Sequence, residues 1–355
     1  MSGFIPLDVV DLERDTAESV LVTLQPRSGE PVGFVHGQYL TFRRTFDGVE
    51  LRRSYSICSP EGDPRLRVGI RRVDGGAFST WATSALAVGD QLEALPPAGT
   101  FTHPLDPTQA RRYLLVAGGS GITPVYSIAA SILAAEPHAD VTLLQVDRGP
   151  SSAMLLDDVE GLRNRHLDRF RVWRQFTQER SALDLLTGRP TVDSINVAIN
   201  QNLLPADPDL VFVCGPEGLI QVMEDVFRGR GLAGDAIRSE RFSGAQTGRA
   251  RQQVTGPVDA SMVAVSSGSA TLHGRSVAFE VYEGDSLLAA IRRVHPDVPY
   301  SCEAGVCSTC RAHLVTGDVT MKATHGLLPG EIDAGFVLTC QSQPTTRSVV
   351  VDFDV

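Results

Sequence analysis

The first hundred residues alternate short β-rich runs with turn residues. SVLVTLQP, GQYLTF, RSYSICS, RLRVGIRRV and GDQLEALPPAG succeed one another with Gly, Pro, Asp and Ser between them. Even spacing of such runs predicts a small antiparallel barrel. After residue 110 the period changes. RRYLLVA reads as a buried strand and GGSG as a tight loop. ITPVYSIAASILAAEP reads as a helix, with Val125, Ile128, Ala129, Ile132 and Leu133 at helical spacing. Pro124 suits a first helical position and Pro137 stops the helix. VTLLQV is the next strand, so this is a βαβ unit and implies a parallel sheet. The alternation recurs in DLVFVCG, a strand, and LIQVMEDVFRGRG, a helix with Leu219, Ile220, Met223, Val226 and Phe227 on one face.

Residues 243 to 258, SGAQTGRARQQVTGPV, lack apolar periodicity and read as a linker. Beyond them, SMVAVSS and SVAFEVY are strand-like, SLLAAIRRV is a helix capped by Asp285 or Ser286, and SVVVDFDV is a strand. The expected architecture is therefore multi-domain: an antiparallel β-barrel over 1–108, an α/β parallel-sheet unit over 109–243, a linker over 244–258 and an α+β unit over 259–355. No internal repeat is present.

Composition narrows the partners. A chain of 355 residues is too long for one ordinary core. Its net charge of −10 disfavours nucleic acid and anionic membrane as partners, and suits docking on a basic protein surface. MSGFIPLDVVDLERD has no basic segment leading into an apolar core, and runs such as YLLVA are too short to span a bilayer. The expected compartment is the cytoplasm, where thiols stay reduced. The six cysteines, at 58, 214, 302, 307, 310 and 340, then point to metal binding or catalysis.

Three of them crowd into SCEAGVCSTC. The spacing is Cys302-x4-Cys307-x2-Cys310, with Cys340 after 29 intervening residues. Four thiolates can enclose zinc or a [2Fe–2S] cluster. Zinc ribbons pair two C-x2-C knuckles, and the second pair is missing here. C-x4-C-x2-C…C is instead the plant-type ferredoxin spacing. Gly305 allows a tight loop, while the small Ser301, Ser308 and Thr309 leave backbone N–H groups free to point at sulfur. The block from VPYSCEAGVC to FVLTCQSQP resembles plant-type ferredoxin domains. That resemblance implies a β-grasp fold with the cluster near the surface. A structural zinc site is the alternative.

A one-electron centre needs a supplier. In RSYSICS, Arg53 offers a cation for phosphate, Tyr55 a flat ring for a flavin, and Ser56 a hydroxyl for a flavin ring atom. Strand alternation puts Arg53 and Tyr55 on one face, and Ser54 and Ser56 on the other. Taken alone this is an ordinary strand. GGAFSTWA adds a glycine turn opening a helix, with Gly76, Ala77, Phe78 and Ser79 as an anion seat. The pair of motifs resembles the flavin signature of the ferredoxin–NADP reductase superfamily. It implies FAD more than FMN, and a binding set of Arg53, Ser54, Tyr55, Ser56, Ile70, Gly76, Ala77, Phe78 and Ser79. His36-Gly37-Gln38 replaces the family's usual Pro-Gly-Gln, and His36 is expected to face solvent from a turn, contact with the flavin edge being the alternative.

AGGSGITP sits where a strand meets a helix. Gly118, Gly119 and Gly121 permit close backbone approach to a phosphate, although the spacing is not G-x-G-x-x-G. GGxGITP is a form found in the same superfamily, which adds Thr123 and Pro124 to the nicotinamide site. In VCGPEG, Cys214 ends a strand at the sheet's carboxyl edge, where such folds bind ligands. The resemblance places Cys214, Gly215 and Pro216 beside a nicotinamide ring. RSERFSG resembles the superfamily's acid-plus-aromatic segment, implying Glu240 near the flavin and Phe242 beside its ring. Asp147 and Arg148 offer an acid for the 2′-hydroxyl of NADH and a cation for the 2′-phosphate of NADPH, so the donor stays open.

The three motifs stand in working order. Ser56, Cys214 and Glu240 are the candidate catalytic residues, and Cys302, Cys307, Cys310 and Cys340 the candidate metal ligands. Nearly the whole chain resembles the reductase components of phenylacetyl-CoA epoxygenases and ketosteroid hydroxylases. The resemblance implies NADH or NADPH as donor, FAD and a [2Fe–2S] cluster as carriers, and an oxygenase or hydroxylase as acceptor. Glu303 is a candidate for steering that acceptor. The competing readings are the electron-transfer component of a dehydrogenase acting on dihydroorotate, and a zinc-stabilised adaptor without activity.

Overall fold

The computed structural model describes residues 3–179, 187–242 and 263–355. The expected linker, 244–258, lies outside them. The front unit contains β1 (Ile5–Thr16), β2 (Ser19–Pro26), β3 (Tyr39–Phe46), β4 (Val49–Ser56), β5 (Leu66–Arg71), α1 (Ala77–Ser84) and β6 (Gln91–Ala94). Its antiparallel sheet runs β4-β3-β6-β1-β2-β5, and an Ile57–Val68 bridge curls the two edges together. The core holds Phe42, Phe78, Leu24 and Val68, each contributing roughly 1.5–3 kcal/mol by burial. β1 was not expected from the pattern. Asp8, Asp11, Glu13 and Arg14 interrupt it, and only Leu7 and Val9 among its side chains are fully buried. Pairing with both β2 and β6 holds it in place.

The middle unit alternates strand and helix: β7 (Arg112–Gly118), α2 (Ile122–Ala135), β8 (Asp140–Asp147), α3 (Leu156–Arg165), β9 (Phe170–Phe176), α4 (Val192–Asn200), β10 (Leu210–Gly215), α5 (Glu217–Gly229) and β11 (Ile237–Arg241). The sheet order is β11-β10-β7-β8-β9, parallel throughout. Strand order reverses between β7 and β10, and ligands of such sheets sit outside the carboxyl ends at that point. Twelve of the 14 residues of α2 are buried. The helix is pinched between its sheet and the barrel: Ser127 Oγ donates to Ser59 O at 2.6 Å, and Glu61 N–H to Ser131 Oγ at 2.8 Å. Pro124 is the third residue of α2, not the first. Its missing N–H still costs nothing, because first-turn donors have no intrahelical partner.

The last unit is a mixed sheet backed by one main helix: β12 (Ala264–Leu272), β13 (Arg275–Tyr282), α6 (Leu287–Val294), β14 (Arg311–Thr316), β15 (Val319–Met321), α7 (Pro329–Asp333), β16 (Phe336–Leu338), β17 (Ser342–Pro344) and β18 (Ser348–Asp352). The order β13-β12-β18-β14-β16 makes β18 central, parallel to β12, with Val349 and Val351 fully buried. Ser286, not Asp285, caps α6 by accepting from Ala289 N–H at 3.2 Å. Leu287, Leu288 and Ile291 then face the sheet. Among the described residues no helix is long and apolar enough to cross a membrane.

Candidate functional site

All three units contribute to one open cleft of ≈ 260 Å³. The barrel supplies Arg53, Ser54, Tyr55 and Ser56 from β4, an edge strand, and Gly76, Phe78 and Ser79 from the start of α1. The middle unit supplies Ser120, Thr123, Glu240, Arg241 and Phe242, and the last unit supplies Ser301, Cys302, Val306 and Cys307.

The barrel wall is aromatic with polar ends. Tyr55 and Phe78 lie 5.5 Å apart between ring centroids. Gly76 is the N-cap of α1, and the helix's free first-turn N–H groups fit an anion there. Ser79 is tied into this turn, accepting from Val73 N–H at 3.1 Å.

Across the cleft, β7 ends in the 3-10 turn Gly119–Gly121, which leads into α2. Gly119 has φ +58°, in the left-handed region. A Cβ on Gly121 would lie 2.2 Å from Cys214 O. Glycine thus lets the turn close on the end of β10. Register pairs Cys214 with Glu240 on adjacent strands, and Cys214 Sγ lies 4.0 Å from Glu240 Oε2. Burial pushes the Glu240 carboxyl up to about 8, against the pull of the Ser56 hydroxyl. Burial, and then Glu240, hold the Cys214 thiol well above its usual range. Near neutral pH this corner therefore keeps a proton on the carboxyl and another on sulfur.

The cysteine loop is built differently. Cys302 N–H donates to Cys307 Sγ at 3.4 Å, Ala304 N–H to Cys302 Sγ at 3.3 Å, and Gln341 Nε2 to Cys340 Sγ at 3.2 Å. The Cys307 side chain, with backbone N–H groups of Ala304, Val306 and Cys307, pushes the Cys302 thiol down to about 6. The Cys302 and Cys307 side chains hydrogen-bond one another, as do those of Cys310 and Cys340. Among the described residues no three Cys, His, Asp or Glu side chains converge on one ion position. Two thiol pairs fit a two-iron cluster, in which each iron takes two cysteines, better than a single zinc, which needs all four together.

Residues 9–103 match the oxidoreductase FAD-binding domain, 115–225 the oxidoreductase NAD-binding domain and 270–345 the 2Fe-2S iron-sulfur cluster binding domain. The chain is 34% identical over 361 residues to a subunit of the 1,2-phenylacetyl-CoA epoxidase of Escherichia coli, covering 100% of this chain and 99% of that protein. It belongs to this family of oxygenase reductase components. The 3-ketosteroid-9-alpha-monooxygenase ferredoxin reductase component of Mycobacterium tuberculosis is 30% identical, with 98% and 94% covered. Phthalate dioxygenase reductase shares the fold along the whole chain, with TM-score 0.59, 23% identity, and 99% and 98% covered. An intact type IV self-sufficient cytochrome P450 monooxygenase shares it at TM-score 0.70 and 24% identity. The match covers 98% of this chain and about two fifths, 41%, of that one. The chain is thus an oxidoreductase with FAD-binding, NAD-binding and 2Fe-2S domains in the expected order.

Several residues of the reductase sit differently from expectation. Ile70 is fully buried in the barrel core, and its strand neighbours Gly69 and Arg71 line the cleft instead, as alternation requires. Ser54 and Ser56 line the cleft together with Arg53 and Tyr55, because β4 is an edge strand with one flank free. His36 is 1% exposed, not solvent-facing. Its Nδ1 lies 2.7 Å from Glu61 Oε2 and its Nε2 3.1 Å from Thr102 Oγ1, so the turn is tied down without proline. Glu303 is paired with Arg292 at 3.1 Å and is not a free steering charge. Arg148 bonds Glu18 at the end of β8, while Asp147 is buried against Ser152 and Arg71. Arg71 was missed by sequence reasoning. It reaches from β5 to Asp147 at 3.3 Å, and its second Nη is buried without a hydrogen bond, 4.0 Å from Glu18 Oε2. A basic residue two places beyond Gly69 on a barrel strand was the available signal.

Proposed function

We propose that the reductase accepts a hydride from NADH or NADPH in this cleft and delivers electrons singly to a partner oxygenase or hydroxylase in the cytoplasm. What supports this is the shared cleft: the flavin-type strand, Ser120 and Thr123 at the glycine turn leading into α2, and two cluster-type cysteines line one space. When bound, FAD takes the donor's pair and a [2Fe–2S] cluster carries one electron at a time.

The chain's own residues hold, shield and proton-match these groups. Arg53 and the α1 start, Gly76 to Ser79, are assigned to phosphates, and Tyr55 and Phe242 to the flat faces of the flavin. Ser56 and Glu240 are assigned to a flavin edge, where a carboxyl titrating near 8 can keep a proton within reach. Gly118 to Thr123 and Cys214 to Pro216 are assigned to the nicotinamide donor, and Arg148 to its ribose end. Cys302, Cys307, Cys310 and Cys340 are assigned to the cluster. The domain limits proposed are 1–108, 109–243 and 259–355, consistent with the matched segments.

The test is Cys340→Ser. NAD(P)H-driven reduction of a small dye is expected to continue, while reduction of a one-electron protein acceptor is lost. Equal loss of both would overturn the order of carriers. Anaerobic rapid-mixing reduction with NADH and with NADPH identifies the donor.

A further inference from the structure

A buried cation crosses from the barrel into the last unit. Arg52, on β4, has a side chain 1% exposed. Its Nε donates to Glu50 Oε1 at 2.8 Å, its Nη1 to Val298 O at 3.0 Å and its Nη2 to Pro296 O at 3.3 Å. The guanidinium carbon lies 4.2 Å from the Tyr300 ring centroid. On the same ring Arg292 stacks at 3.9 Å, and it also donates to Glu303 Oε1 at 3.1 Å. The gripped segment, 296 to 300, runs straight into the cysteine loop.

Further contacts from the same hairpin reach that loop. Ser54 Oγ donates to Ser301 Oγ at 2.9 Å. Tyr39, 4% exposed on β3, donates its hydroxyl to Cys307 O and lies 3.1 Å from Thr309 Oγ1. Domains that merely share a tether meet through small, polar and mobile interfaces. A desolvated guanidinium is tolerated only where its donors are engaged, and the carbonyls it satisfies belong to the other unit. β4 thus contributes to the flavin cleft through Arg53, Tyr55 and Ser56, and grips the iron–sulfur unit through Arg52 and Ser54.

We propose that Arg52 is a positioning residue that locks the iron–sulfur unit onto the flavin edge of the barrel and so sets the approach between the two carriers. Its consequence for electron transfer rests on the proposed function, but the docking itself does not. The test uses full-length reductase loaded with both cofactors, as wild type, Arg52→Met and Arg52→Lys. Hydroxyl-radical labelling reads exposure of Tyr39 and Tyr300, with Tyr113, buried in the middle unit, as reference. Rapid mixing reads flavin reduction and then cluster reduction.

Losing a charged, buried hydrogen-bond donor shifts a docked–undocked ratio by about tenfold or more. Arg52→Met is expected to raise labelling of Tyr39 and Tyr300, but not of Tyr113, and to slow cluster reduction by about tenfold. Flavin reduction and the cluster's potential stay unchanged. Arg52→Lys recovers part of the loss, since a point charge reaches one carbonyl and not two. If Arg52→Met loses its flavin, Tyr39→Phe, which removes only a hydroxyl, reads the same interface. Unchanged labelling together with unchanged cluster reduction overturns the proposal. If wild type fails to reduce its cluster with nicotinamide, the proposed function falls while the labelling still decides the docking.

Discussion

The reductase treats its thiols in two opposite ways. Cys214 ends a buried strand and faces a carboxyl, so burial, and then that carboxyl, keep it a thiol. Cys302 lies in a loop where the Cys307 side chain, and then backbone N–H groups, turn toward its sulfur, so it is pushed down to about 6. A strand spends its amides on its neighbours, whereas a loop has amides left over for an anion. Within the same loop the Cys302 side chain and burial hold Cys307 well above its usual range, and the Cys340 side chain and burial do the same to Cys310, so Cys302 is the thiolate the loop offers first.

The largest effect that can break this contrast is removal of a loop thiol. Cys302→Ser should lower reduction of a one-electron protein acceptor about a hundredfold or more and abolish visible absorption from the cluster. Reduction of a small dye at the flavin should stay within about twofold. If dye reduction falls in parallel, the loop is not a separate centre.

Next comes Gly121→Ala, which sharpens the packing side. A Cβ 2.2 Å from the Cys214 carbonyl forces the turn off β10, at a cost of about 1–3 kcal/mol seen in denaturant melts. A silent substitution would mean that the turn does not close on Cys214.

Glu240→Gln tests the electrostatics. The folded carboxyl titrates near 8 against an ordinary 4.5, so folding favours its protonated form. That contribution is complete below about pH 4.5 and is lost as pH rises through about 8. A glutamine side chain is neutral throughout, so the variant should lose about 1–2 kcal/mol less than wild type between pH 5 and 9, after allowance for solvent screening. Parallel stability–pH curves would place Glu240 in water.

The smallest readout is chemical. In iron-free protein at pH 7, iodoacetamide should modify Cys302 well before Cys214, as peptide mapping would report. The reverse order would invert the comparison.

Much of this was legible in the residues. The change from period two to helical spacing at 110, the glycine turn before α2 and the cysteine spacing each carry one local cause, and each appears where expected. What escaped were long-range facts. β1 is a strand because two neighbours pair with it, against its own charges. His36 is buried because Glu61 and Thr102, distant in sequence, return to it. Ile70 and Arg71 exchange roles through strand alternation, which needs the register before it can be used. Arg52 lies one place from the flavin signature, yet its partners are about 245 residues away.

The central place of β18 has a consequence for biosynthesis. Translation proceeds vectorially, at about 5–20 residues per second. The four cysteines assigned to the cluster therefore leave the ribosome before residues 348–352, which fill the middle of that unit's sheet. Until that strand emerges, the nascent cysteine loop waits without its central neighbour.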